Sequence, residues 1–305
     1  TTLIVFMKDK ILITGCNGLL GQKLVSILSE KYNVLATSKG ECRINNQSNF
    51  KYLSLDVTNQ KKVTEAILNF SPNFVINSAA MTNVDLCETQ KKMCDDVNVN
   101  SVFYMSNACE KIDAHLIHIS TDFIFDGKDG PYNENDIPNP LNYYGISKLK
   151  SENILHKSNC KWTILRTIII YGFVENMSKS NIVLWARESL KKNETINIID
   201  DQYRSPTLAE DLAMACLLSI EKNAKGIFHV SGKEIMSIFE IVERIAKFHN
   251  IDTTLINKIS SSTLNQKAIR PKKTGFILTK SMKELNYQPT AFEDGLSLIE
   301  CQIKK

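Results

Sequence analysis

Several common signatures are missing from this 305-residue chain, and each absence narrows its function. Its eight cysteines (Cys16, Cys42, Cys87, Cys94, Cys109, Cys160, Cys216 and Cys301) form no C-x-x-C pair, and none has a histidine at zinc-ligand spacing. No metal site is expected, and the cysteines read as free thiols in a reducing compartment, which points to the cytoplasm. No apolar run approaches the roughly 20 residues of a membrane-spanning helix. The net charge of +4 comes from lysines scattered over the whole length, not from a basic block, so nucleic acid is not an expected partner. There is no internal repeat, no low-complexity tract and no linker long enough to separate independent domains. Thr1 to Phe6 is too short for a signal peptide and lacks a basic start, and Met7 is read as the natural start. The remaining composition, 43% hydrophobic and 23% charged, is that of an ordinary soluble globular protein. Its length suffices for one large domain or two smaller ones.

The first informative stretch is Lys10-Ile11-Leu12-Ile13-Thr14, a short apolar run rich in β-branched residues. It stops at Gly15-Cys16-Asn17-Gly18-Leu19-Leu20-Gly21, after which Leu24, Val25 and Leu28 continue the helical spacing of Leu19 and Leu20. Strand, glycine turn and helix in that order are the context of a phosphate-binding loop, the alternative being a plain tight turn between strand and helix. Glycines let backbone amides approach a pyrophosphate, and the helix N-terminus adds partial positive charge. The spacing is G-x-x-G-x-x-G, and the cofactor candidates here are Gly15, Asn17, Gly18, Leu19, Leu20 and Gly21. A second strand is expected over Asn33 to Thr37. An acidic residue usually meets a free ribose 2′-hydroxyl at its end, but this chain has Ser38 and Lys39 there, with Arg43 nearby. That composition suits a 2′-phosphate, so NADPH is expected over NADH; the alternative is that Lys39 and Arg43 are solvated loop charges.

Further strands are expected over Tyr52 to Leu55, ending at Asp56-Val57, over Phe74 to Asn77, running into Ser78-Ala79-Ala80, over His115 to Ile119, ending in Ser120-Thr121-Asp122, and over Trp162 to Thr167. Helices are expected over Gln60 to Phe70 and Val97 to Lys111. Alternating strands and helices predict an α/β fold of Rossmann type with a doubly wound parallel sheet. Ligands bind at the carboxyl ends of such strands, which places Gly15, Asp56, Ala79 and Thr121 along one edge. His115 and His118 are expected on opposite faces of their strand, in structural roles. Beyond Gly172 the rhythm changes. Helices are expected over Asn181 to Leu190, Leu208 to Ile220, Ile235 to His249 and Phe292 to Ile299, with strands over Thr195 to Ile199 and Gly226 to Val230. The expected division is a dinucleotide-binding domain over residues 7–171, with 203–231 adding to it, and a smaller substrate lobe over 172–202 and 232–305.

Tyr144 and Lys148 lie four apart in Asn142-Tyr143-Tyr144-Gly145-Ile146-Ser147-Lys148, with Asn142 as the expected helix cap. On a helix they share a face, one turn apart. A phenol ionises near pH 10 and a neighbouring ammonium lowers that value, which suits proton transfer to or from an oxygen on carbon. Alone the pair is a weak signal, since about one Tyr-x-x-x-Lys is expected by chance. It reads equally well as a surface lysine beside a packed tyrosine.

Taken together the motifs are more specific. Gly15-x-x-Gly18-x-x-Gly21, Asn77-Ser78-Ala79-Ala80, Ser120-Thr121-Asp122-Phe123-Ile124-Phe125-Asp126-Gly127 and Tyr144-x-x-x-Lys148 follow the order and spacing of the extended short-chain dehydrogenase/reductases. Within that group the chain resembles the dTDP-4-dehydrorhamnose reductase family, from Lys10 to about Ile299. Arg166-Thr167 with Tyr171-Gly172, and Asp201-Gln202 with Pro206-Thr207, carry the resemblance further. It implies an NADPH-dependent oxidoreductase that reduces the C4 ketone of a nucleotide-linked deoxysugar. In this reading the glycines hold the cofactor pyrophosphate, Asp56 and Val57 lie near its adenine, and Ala79 and Ala80 flank the nicotinamide. Thr121 hydrogen-bonds the substrate oxygen. Tyr144 is the proton donor, Lys148 holds the nicotinamide ribose and lowers the tyrosine pKa, and Asn98 supports the lysine. Val84 and Phe123 line the sugar site. Arg204 and Arg270 are candidates for the sugar-nucleotide diphosphate, or equally are ordinary packing arginines. Two departures leave the exact sugar, the Mg2+ requirement and a magnesium-linked homodimer open. Ile169 stands where some members have a Trp, and Lys23 where some have a Glu. The same group contains epimerases and dehydratases, and a non-catalytic methionine adenosyltransferase regulatory subunit; retention of Thr121, Tyr144 and Lys148 together favours the reductase.

Overall fold

The apolar runs become the strands of one sheet. In the computed structural model, which describes residues 8–177 and 179–304, six of them are β1 (Lys10–Thr14), β2 (Asn33–Ser38), β3 (Lys51–Ser54), β4 (Phe74–Asn77), β5 (His115–Thr121) and β6 (Lys161–Thr167). With Gly226–Val230 they form a seven-stranded sheet in the order β3-β2-β1-β4-β5-β6-(226–230), and every neighbouring pair is parallel. The reading of Met7 as the start lies outside the described residues.

The sheet is covered on both faces, and the pleat sorts side chains between them. Ile11 and Ile13 of β1 pack with α1 (Leu19–Leu28) and the helix Ala209–Glu221 through Leu24, Leu28, Leu212 and Cys216. Leu12, between them, faces Val63 and Ile67 of α2 (Gln60–Phe70). A third apolar cluster lies apart, where Leu184, Ile241, Ile245, Leu296 and Ile299 of three later helices close over the strand Ile196–Ile199. Phe276, Leu278, Leu285 and Tyr287 do not join that cluster; the chain returns there to the first face of the sheet.

Three expectations differ from the structure. The helix expected from Val97 is preceded by α3 (Val84–Thr89) and α4 (Lys91–Asp95), then passes through a π-helical turn at Asp96–Asn100 before α5 (Ser101–Lys111). α3 and α4 are too short for helical periodicity to register, although Asn83 caps the first of them by accepting from the Leu86 amide at 3.0 Å. The helix expected from Ile235 starts at Ile238, because Met236–Ser237 pairs with Tyr203–Arg204 and Ser237 caps the helix. The strand Ile256–Ile259, parallel to Ile196–Ile199, was not expected; two of its four residues are exposed polar side chains.

Candidate active site

Strand order reverses between β1 and β4, and parallel sheets hold ligands at such a point. β1 ends in Gly15, whose φ of +70° suits glycine. A Cβ there would stand 2.8 Å from the Ala79 amide nitrogen, so the loop can lie against the end of β4 only as glycine. The following helix, α1, has no side-chain cap at Gly18. Its first amides therefore remain available to an anion, as a pyrophosphate site requires. The residues fit a dinucleotide.

β5 delivers Thr121 to the same edge, and α6 (Tyr143–Lys157) brings Tyr144 and Lys148 to it. Asn142 caps α6 as expected, accepting from the Gly145 amide at 2.9 Å. Gly145 permits the approach: a Cβ there would overlap the Phe123 carbonyl. This seats the Tyr144 ring edge-on to Phe123, with centroids 5.9 Å apart. The resulting cleft, about 560 Å³, is lined by Gly15, Gly18, Leu19, Leu20 and Gly21 on one side and by Thr121, Phe123, Tyr144 and Lys148 on the other, with Ala80 and Val84 between.

The electrostatics of the cleft come from desolvation. Burial pushes the Tyr144 hydroxyl above the ordinary phenol value, and the Thr121 hydroxyl beside it pulls it back. Burial draws Lys148 down to about 8, opposed by the carboxylate of Glu152. The Lys148 ammonium donates to the Ile119 carbonyl at 2.7 Å and lies 3.0 Å from His118 Nε2. The expectation that Lys148 lowers the Tyr144 pKa is therefore corrected: its ammonium is directed toward β5, and burial governs the phenol.

Other expected site residues lie elsewhere. Asn98 is buried, but its side chain pairs with both the amide and the carbonyl of Met81 and with Ser147 Oγ at 3.0 Å; it meets α6 beside Lys148 and not at the ammonium. Ala79 lies behind the glycine loop, with its amide 3.4 Å from Thr14 Oγ1. Asn17 turns from the cleft to hold the 41–43 segment, donating to the Glu41 carbonyl at 2.7 Å and accepting from the Arg43 amide at 2.9 Å. At the end of β2, beyond Ser38, Lys39 pairs with Asp56 at 2.8 Å, which pulls the carboxyl down to about 2. Val57 packs into the second sheet core.

The two diphosphate candidates are corrected. Arg204 is 1% exposed, and its guanidinium is spent on the carbonyls of Tyr203, Pro271 and Lys272 and on Gln202. Arg270 is held by Asp85 at 2.8 Å and does not line the cleft. Both pack the lobe. Conversely, Thr167, Ile170, Lys179 and Asn181 line the cleft without having been expected there as site residues, and Ile169, singled out above as a departure, lines it too. Thr167 ends β6, so the strand-end rule could have found it. Lys179 arrives from a loop with no motif, and Asn181 caps the helix Ile182–Lys191. Ile169 has φ +25°, an uncommon backbone for a β-branched residue, and no local sequence pattern announces it. Lys23, the other departure, pairs with Glu210 of its own chain at 2.7 Å.

Comparison with known proteins decides the family. The family model described as the RmlD substrate binding domain matches residues 8–302. The chain belongs to this family. A curated relative, the dTDP-4-dehydrorhamnose reductase of Aggregatibacter actinomycetemcomitans, is 32% identical, with 95% of this chain and 98% of that protein covered. The methionine adenosyltransferase 2 subunit beta of Bos taurus is 31% identical over 83% of this chain and 76% of that protein. Among solved structures, the dTDP-4-dehydrorhamnose reductase of Bacillus anthracis in complex with NADP superimposes with a TM-score of 0.84 at 27% identity, covering 97% of this chain and all of that one. As an RmlD-family member the chain has the Rossmann-like α/β sheet of extended short-chain dehydrogenase/reductases. Among the described residues, no helix is long and apolar enough to cross a membrane, and no group of three or more His, Cys, Asp or Glu side chains is arranged to hold a metal ion.

Proposed function

We propose that this protein is an NADPH-dependent reductase of the 4-keto group of a nucleotide-linked 6-deoxysugar, acting as a dTDP-4-dehydrorhamnose reductase in dTDP-L-rhamnose formation. One observation carries the reading. Tyr144, Thr121 and Lys148 line the same cleft as the glycine loop. The relatives' names and the NADP of the Bacillus anthracis structure support it.

NADPH supplies the hydride. The glycine loop and the open first turn of α1 hold its pyrophosphate, and Lys148 holds its ribose. Lys39, just past β2, and Arg43, four residues further on, would meet the 2′-phosphate, Lys39 by exchanging its partner Asp56. As the ketone oxygen gains negative charge, Tyr144 protonates it. The raised phenol pKa suits a donor that keeps its proton until the alkoxide forms. Thr121 orients the oxygen, while Val84, Phe123 and Ile169 wall the sugar. Residues 172–202 and 232–305 form the substrate lobe, with 276–287 packed back on the sheet. The protein works in the cytoplasm.

The test supplies dTDP-4-keto-6-deoxy-L-mannose with NADPH and follows the nicotinamide absorbance. Steady consumption is expected, with a lower KM for NADPH than for NADH. NADPH binding without consumption would shift the reading to the non-catalytic regulatory subunit; product formed without net NADPH loss would shift it to an epimerase or dehydratase.

A further inference from the structure

Lys148 sits in a cradle whose hydrogens can be followed one by one. The Thr14 hydroxyl accepts from the Ala79 amide at 3.4 Å and donates to Asn77 Oδ1 at 2.7 Å. That turns the Asn77 NH2 group to His118 Nδ1, 3.1 Å away. Burial keeps the ring neutral, so Nδ1 is its bare nitrogen and the ring proton is on Nε2. Nε2 meets Ser151 Oγ at 3.0 Å, and that hydroxyl accepts, because its own hydrogen goes to the Lys148 carbonyl at 2.6 Å. The same Nε2 lies 3.0 Å from the Lys148 side-chain nitrogen, which donates to the Ile119 carbonyl at 2.7 Å. His118 is 0% exposed and Lys148 2%, so a ring N–H faces the lysine nitrogen inside the protein. An ammonium has three N–H donors and no acceptor. One goes to Ile119, one can enter the cleft that Lys148 lines, and the third is left against the His118 N–H. A neutral amine has no such conflict. Its two N–H groups take the first two places, and its lone pair accepts a share of the His118 hydrogen.

We propose that His118 presents its Nε2–H to Lys148 so that the free protein favours the neutral amine, and that NADPH binding brings a proton to it. The inference rests on the reading in which Lys148 holds the nicotinamide ribose. In that complex the ribose oxygens accept from the lysine, and an ammonium makes the stronger bond to them. The negative charge of the phosphates adds to the preference. Burial draws the free lysine down to about 8 and holds His118 well below its ordinary value, so the ring stays neutral while the lysine titrates. Glu152 on the same helix and Cys94 on α4 oppose the effect of burial on Lys148, and Glu152 is ion-paired to Arg166 of β6 at 2.7 Å. Tyr144, one turn away on α6, has its own titration pushed up by burial. With the free lysine titrating at about 8 and the bound one closer to its ordinary value, the complex carries more protons in between. Affinity is therefore full below that window and falls as pH rises through it.

Calorimetric titration with NADPH in two buffers of different ionisation enthalpy counts the protons taken up. For a bound lysine titrating at about 10, uptake is expected to be about 0.8 of a proton at about pH 9 and about a tenth of one at about pH 7. Affinity is expected to be about tenfold lower at the higher pH. The 2′-phosphate of NADPH is largely ionised at both. Lys148→Met is expected to bind NADPH more weakly and to take up no proton at either pH. His118→Leu removes the opposing N–H, so its free lysine is expected to titrate higher and its uptake at about pH 9 to shrink. Carbon NMR of the Lys148 side chain reads the free and bound titrations directly, and nitrogen NMR reads the ring, with the proton expected on Nε2. These decide the matter on the parent alone should a variant not fold. Uptake that survives in Lys148→Met, a leucine variant with the parent's uptake, a free Lys148 that titrates at the ordinary lysine value, or a ring proton on Nδ1 overturns the proposal. A parent that binds no NADPH overturns it together with the reductase reading. A parent that takes up the proton with NADPH yet reduces no keto sugar would sink the reductase reading alone.

Discussion

On the sheet side, the Arg166 and Glu152 side chains are 3% and 1% exposed and meet at 2.7 Å. In the C-terminal lobe, Arg244 is 19% exposed and grips Glu234 at 2.6 Å and Glu293 at 2.5 Å, with both acids nearly half exposed. The first pair is sunk in the interior; the second stays at the surface, beside a core of helix faces. Desolvation is what shifts Tyr144, Lys148, His118 and Asp122 from their ordinary titration ranges. A site that needs such shifts must be built where the backbone is held on both sides, and the sheet provides that.

Substitutions can break this contrast. The largest effect is expected from Tyr144→Phe, which keeps the ring against Phe123 and removes the proton. Turnover should fall on the order of 10²-fold or more, with NADPH affinity nearly unchanged, as steady-state rates and a binding titration would show. Next is Arg166→Leu, which leaves the buried Glu152 with the Ser120 hydroxyl but without its counter-ion. Denaturant unfolding should register a loss of about 3–5 kcal/mol, the usual cost of stranding a buried ion. In the lobe, Ile241→Val removes one buried methylene and should cost about 1 kcal/mol with no change in kcat. The smallest effect is expected from Arg244→Ala, about 1 kcal/mol or less, since its pairs are partly hydrated. Its pH dependence sharpens the contrast. Arg244 holds the Glu293 pKa below the ordinary 4.5, so the pair stabilises above that pH and the contribution fades as pH falls through the lowered value. The difference in Tm between parent and Arg244→Ala should therefore shrink in acid. A difference that grew instead would mean that the pair is not what Arg244 contributes.

The sheet was legible because its strands are apolar runs closed by turn residues, and because β1, the glycine turn and α1 follow one another without interruption. Helical spacing put Tyr144 and Lys148 on one face, but only the other motifs, taken with them, singled the pair out as site residues. The misreadings share a cause. Arg204 looks in sequence like any loop arginine; that carbonyls of Pro271 and Lys272 absorb its donors depends on a segment more than sixty residues away. His118 meets Lys148 across thirty residues, and only the packing of α6 against β5 makes them neighbours. Ile256–Ile259 carries no alternation, so its pairing with Ile196–Ile199 is set by the helices around it. Local pattern reports on elements, while the company a buried polar group keeps is decided by tertiary contact.

Asn17 reaches out of the glycine turn to grip the chain at Glu41 and Arg43, so on the proposed reading the grip on the dinucleotide and the choice between its two forms would share one tether. On that reading, exchanging Lys39 or Arg43 should alter the preference and leave the tether, which uses only the Arg43 backbone, intact. Changing Asn17 would loosen both at once, so an engineered switch to NADH should begin downstream of it.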